Sequence, residues 1–130
     1  MNINLQTNSQ SKKLELQNIK KTGNNYKCFL IVNSRGFCVS RSFSFSDYYL
    51  KLFLENIIEM NLTFAGEAIL KDGDYDDDYI SITCEKTGHI SVSGELIEYS
   101  EHPQSLNFCF QTDQTVLSPL IRDISKLIQC

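Results

Sequence analysis

Apolar and polar positions alternate through the first third of the chain. Leu14 and Leu16 alternate with Glu15 and Gln17, which predicts a first strand ending near Lys20. Gly23-Asn24-Asn25 follows with turn chemistry, since Gly and Asn tolerate positive φ. From Tyr26 to Val32 nearly every residue is apolar, which predicts a central strand buried on both faces. A second turn, Asn33-Ser34-Arg35-Gly36, makes a hairpin of segments 26–32 and 37–45. In its second arm Phe37, Val39, Phe43 and Phe45 alternate with Cys38, Ser40, Ser42 and Ser44, the pattern of a sheet with one wet face.

At Ser46 the period changes from two to 3.6. Leu50, Phe53, Leu54, Ile57 and Ile58 form one apolar stripe, with Asp47, Lys51, Glu55 and Glu59 opposite, predicting a helix over about 46–60. Ser46 is its N-cap, and Asp47 suits the positive end of the helix dipole. Alternation then returns in segments 63–70, 79–85, 89–98 and 104–111, joined by short turns such as Lys86-Thr87-Gly88. A second amphipathic helix closes the chain at about 114–128, with Leu117, Leu120, Ile121, Ile124, Leu127 and Ile128 inward. Pro119 fits either an irregular early turn of a helix begun at Asp113 or Thr115, or the first position of a helix capped by Ser118.

The expected fold is therefore α+β: one mostly antiparallel, curved sheet of about six to seven strands with two amphipathic helices. Phe53, Ile57, Ile82, Val92, Phe108, Leu120 and Ile124 are its expected core. The 130 residues make a single domain, 1–130, with the polar segment 1–11 frayed. No apolar run approaches the ~20 residues of a membrane helix, and no signal-peptide stretch opens the chain, so a soluble cytoplasmic protein is expected.

Cysteine usage agrees with a reducing compartment. The five cysteines (28, 38, 84, 109 and 130) include no CxxC pair, and no HxxxH accompanies them, so neither a disulfide framework nor a metal site is expected. They read as small buried hydrophobes plus a terminal thiol at Cys130. Cys84 and His89 flank one turn, but Cys84 shares a face with Ile80 and Ile82, so packing is favoured over a nucleophile. Carboxylate pairs among Glu67, Glu85, Glu95 and Glu98 arise freely on a wet sheet face, and no glycine loop for phosphate is present. No catalytic residue and no cofactor are expected.

Charge divides the chain unequally. Residues 1–71 hold nine Lys/Arg against five acids, whereas residues 72–130 hold three against eleven, and the total is −4. The largest cluster is acidic, which disfavours nucleic acid but not a basic protein partner. Asp72, Asp74 and Asp76 imitate the first ligands of a calcium loop, but Asp77 stands where its turn glycine belongs and Thr83 where its bidentate glutamate belongs. The run 72–78 reads instead as a solvated hairpin tip or an acidic docking surface. The expected partner-binding residues are Asp72, Asp74, Tyr75, Asp76, Asp77 and Asp78, with Glu95, Glu98 and Glu101 beside them.

One stretch has a family pattern. The helix SDYYLKLFLENIIEM, the GEA of Gly66 to Ala68, the YISI of Tyr79 to Ile82, TGHISVSGEL and LNFCFQTDQTVLSPLIRDI follow in order. Over residues 26–128 the chain resembles the WapI family of bacterial immunity proteins. Its most specific parts are Gly88-His89 with the V-x-G-x-L of Val92, Gly94 and Leu96, and the LxFxFxxDQT segment. The resemblance implies a small non-enzymatic cytoplasmic protein that neutralises the C-terminal domain, often a nuclease, of a toxin encoded beside it. It transfers no functional residue, because the shared positions are glycines, inward apolars and caps. A non-enzymatic binding or regulatory assembly module is the alternative reading.

Overall fold

The computed structural model describes residues 1–5, 7, 9–73, 78–98, 101–102 and 104–129. The class is α+β. In chain order the elements are β1 (Ile3–Asn4), β2 (Lys12–Thr22), β3 (Asn25–Ser34), β4 (Phe37–Ser46), α1 (Asp47–Thr63), β5 (Gly66–Lys71), β6 (Tyr79–Cys84), β7 (His89–Glu98), β8 (Gln104–Asp113) and α2 (Leu117–Gln129). The described strands form two antiparallel four-stranded sheets, β1-β2-β3-β4 and β5-β6-β7-β8, rather than one sheet of six to seven. The cause is α1. At 1.5 Å rise per residue its 17 residues carry the chain ~25 Å. β5 therefore restarts away from β4 and pairs with the strands that follow it.

Each sheet turns one face to a shared core. Leu14, Leu30, Phe43 and Phe45 of the first sheet meet Leu70, Ile80, Val92 and Phe110 of the second, with Phe53 and Ile57 of α1 and Leu120 and Ile124 of α2 among them. All seven expected core residues are buried. Burying such a side chain stabilises by about 1.5–3 kcal/mol, so this core holds the fold together. Polar links also join the sheets: Lys12 Nζ donates to the Gln111 carbonyl at 2.9 Å, and Ser34 Oγ to the Cys109 carbonyl at 3.4 Å.

Four local expectations need correction, for segment 1–11, strand β3, Phe37 and the cysteines. The C-terminal helix begins from Asp113, as the first of its two expected arrangements has it. Segment 1–11 is not simply frayed, because Ile3 and Leu5 are buried and Ile3 pairs with Leu16. A bulge in β2 at Asn18, which has a φ of 54°, is held by Asn2 Oδ1, and the Met1 carbonyl accepts from Ile19 N. Strand β3 is buried on one face only: Lys27, Phe29 and Ile31 alternate outward, and Phe29 is 50% exposed. Phe37, at the hairpin end, is also exposed. Cys28 and Cys84 are buried free thiols, but Cys38 and Cys109 are exposed, and Cys130 lies outside the described residues. At the C-terminal helix, Asp113 caps a 3₁₀ turn over Gln114–Val116 that runs into α2. Pro119 then falls in the first turn of α2, where an N–H has no intrahelical partner to lose.

Candidate partner-binding surface

The acidic run lies between β5 and β6, and both of its ends turn inward. The sequence reading puts Asp72 and Asp78 on a docking surface; the structure buries them, at 2% and 0% exposure. Strand parity is the reason. Asp72 continues the inward series Ala68 and Leu70, and Asp78 begins the inward series Ile80 and Ile82. Carboxylates so placed need partners. Asp72 N donates to the Asp78 carbonyl at 2.9 Å and closes the loop base. Gly73 N donates to the Ser44 carbonyl at 2.8 Å, and Ser44 N reaches Asp72 Oδ2 at 3.4 Å, tying that base to β4. Burial and the nearby Asp72 carboxylate push the Cys28 thiol up to about 12. Asp78 Oδ1 accepts from Ile97 N at 2.8 Å, and its Oδ2 stands 3.3 Å from Arg41 Nη1, which also donates to the Ile97 carbonyl. The expected contacts Asp74, Tyr75, Asp76 and Asp77 lie outside the described residues.

The remaining expected acids belong to the second sheet. Glu95 is on its outer face, and Glu98 and Glu101 are exposed beyond it at the end of β7 and after it. Register sets Lys71, Tyr79, Glu95 and Asn107 side by side across the four strands, next to a row of Ile69, Ser81, Ser93 and Cys109. The β5, β6 and β7 members of these rows, with Glu67, Thr83 and Ile97, line a shallow concavity of about 580 Å³. Charge separates by sheet. Residues 12–46 carry seven Lys/Arg (12, 13, 20, 21, 27, 35 and 41) against Glu15 alone. Residues 66–113 carry eleven Asp/Glu against Lys71 and Lys86.

Helix α1 presents a surface the sequence reading missed. Among the described residues, seven of ten large exposed apolar side chains fall between 48 and 69: Tyr48, Tyr49, Leu52, Ile58, Leu62, Phe64 and Ile69. Ile58, assigned to the buried stripe from sequence, is one of them. Leu50, Phe53, Ile57 and Met60 cover the core, while Tyr48, Glu55 and Leu62, spaced by seven, point the other way. The helix ends at Phe64, whose φ of 56° is left-handed and whose N–H donates to the Met60 carbonyl. Glycine is the usual residue there, because a side chain at positive φ is strained. The signal was in the sequence: an apolar residue at 48, 52 and 62 has no place on a stripe centred on 53 and 57.

Geometry also bears on the chemical alternatives. Cys84 faces inward opposite Ile90, whereas His89 is exposed opposite Asp113, so the two do not form a dyad. Burial and the Glu85 charge raise the Cys84 thiol further from reactivity. Asp113 accepts from the Thr115 hydroxyl and, at 2.9 Å, from Thr115 N, and these bonds hold its carboxyl below the usual range. Among the described residues no three His, Cys, Asp or Glu side chains are grouped to hold a metal ion, and no helix is long and apolar enough to cross a membrane. Comparison with protein-family models, curated proteins and solved structures finds no match to any of them.

Proposed function

We propose that this protein is an immunity protein: in the cytoplasm it binds the C-terminal domain of a cognate secreted or contact-delivered toxin and blocks it without chemical turnover. The observation that supports this reading best is the segregation of charge by sheet. Eleven acids against two basic residues fall in the second sheet and its connections, and its outer face lies open around Tyr79, Glu95 and Ile97. A nuclease must attract phosphates and so carries a basic cleft. An acidic, aromatic-bearing surface fits such a cleft and is steered to it through the long-range field. With Asp72 and Asp78 turned inward, the contact falls to Glu95, Glu98, Glu101 and the loop residues Asp74, Tyr75, Asp76 and Asp77. The ordered segments from SDYYLKLFLENIIEM to LNFCFQTDQT support the same reading by resemblance.

The test is co-expression with the toxin domain encoded in the neighbouring reading frame. The wild-type chain should protect cells and form a stable complex with the purified domain. Glu95→Lys/Glu98→Lys/Glu101→Lys should slow association roughly tenfold at low salt, with the effect shrinking as salt screens the field. A wild-type chain that neither binds nor protects would overturn the reading.

A further inference from the structure

We infer that the outer face of α1, continued through Phe64 onto β5, is a docking surface for a basic, apolar-centred segment of a protein partner. This rests on the proposed function in taking that partner to be the toxin domain, but the surface has its own evidence. Tyr48, Leu52, Leu62 and Phe64 stand in solvent on an element whose opposite side already fills the core. Leu62 is 74% exposed. At that exposure Leu62 adds little to the packing of the helix, and exposed apolar side chains gathered on one element mark interaction sites. Phe64 adds an independent sign: a half-exposed aromatic occupies a left-handed position that glycine fills without strain. Ile69 is exposed on the edge strand of the second sheet, where it lines the open concavity.

Charge selects the occupant. Lys51 lies 2.9 Å from Asp47 and is spent on it. Glu55, in line with Tyr48 and Leu62, and Glu59 are exposed on the helix, as is Glu67 on β5 with Lys71 four residues on. None of the three glutamates has an ion-pair partner among the described residues. An anionic bilayer or nucleic acid is repelled by this rim. A second copy docking face to face would gather Glu55 and Glu59 of both chains onto one contact. A Lys/Arg-flanked apolar segment satisfies ridge and rim together.

Two arms test this, on the intact chain. In the first, a synthetic amphipathic Leu/Lys helix and its Leu/Glu counterpart are titrated while backbone amide shifts are followed. The Leu/Lys peptide should move amides between 48 and 69 and the Leu/Glu peptide should not. Shifts confined to the first sheet, or equal shifts with both peptides, would overturn the inference. So would concentration-dependent dimerisation abolished by Leu62→Asp, or binding to phosphatidylserine vesicles through α1. In the second arm the toxin domain is titrated with wild type, Leu62→Asp and Phe64→Gly. Leu62→Asp should raise Kd at least a hundredfold with unchanged helix content. Phe64→Gly should leave the melting temperature nearly where it is, because relief of the left-handed strain offsets the lost ring contact, yet raise Kd about tenfold. Unchanged affinity in both variants would overturn the docking surface and leave the immunity reading standing. A toxin domain that ignores the wild-type chain would remove the immunity reading, with the peptide arm still deciding the surface.

Discussion

At Gly94 one missing methyl group decides how closely the second sheet can pack. Register places Gly94 between Ile80 and Phe108, and the Phe108 ring lies over it. A Cβ there would sit 2.6 Å from Phe108 Cζ and press on the Tyr79 carbonyl. The ring is buried and the carbonyl belongs to a ladder strand, so neither gives way easily. Gly94→Ala should cost about 2–3 kcal/mol in urea denaturation, and adding Phe108→Leu should restore only part, because the carbonyl remains. The glycine of V-x-G-x-L is thus a packing residue. Cys28 gives a prediction in pH. Its thiol is raised from 9.0 to about 12, first by burial and then by Asp72. A raised pKa stabilises the fold fully below the unfolded value and loses that contribution as pH climbs from about 9 toward about 12. Wild-type stability should therefore fall over that window more steeply than that of Cys28→Ala, which is weaker at neutral pH but flatter. Parallel slopes in chemical denaturation at pH 8, 9.5 and 11 would refute the assignment.

The two helices differ in how far their sequences could be read. In α2 the apolar positions 117, 120, 124 and 127 are all buried and the charged positions lie outside, so period and burial coincide. In α1 the same period places Leu50, Phe53 and Ile57 inward, and Ser46 is the cap, its hydroxyl accepting from Tyr49 N at 3.2 Å. Tyr48, Leu52 and Leu62 fall outside that stripe by the same period, and they stand in solvent. Strands behaved likewise. Segments 79–84 and 89–98 were legible by alternation, whereas the nearly all-apolar run of β3 concealed an outward Phe29 and Ile31. The division into two sheets was not legible, since hairpin-length turns fix neighbours but not which side of a long helix the next neighbours take. Of the candidate site, Glu95, Glu98 and Glu101 could be placed by exposure alone. Asp72 and Asp78 were misread because charge outweighed the parity that sends both inward.

Across the whole molecule, a charged junction adds to the polar links between the basic sheet and the acidic one. Arg41 of β4 reaches over to Asp78, and both engage the same residue: Asp78 takes the Ile97 N–H while Arg41 donates to the Ile97 carbonyl. The pair is unequal in solvent access, since the Arg41 side chain is 20% exposed and that of Asp78 is 0% exposed. Removing the cation should therefore hurt more than neutralising the anion. Arg41→Met leaves a buried carboxylate without this partner, a change that costs about 3 kcal/mol in comparable pairs. Asp78→Asn keeps an oxygen to accept the Ile97 N–H and leaves an arginine that can still reach water, so about 1 kcal/mol is expected. The double variant should be more stable than Arg41→Met alone, because the unmatched charge is gone. Denaturation midpoints of the three variants at pH 7 decide the order. Equal losses, or an additive double variant, would show that the sheets are held by their shared apolar core and that the junction only decorates it. If the order holds, β4 is fastened to the base of the acidic loop.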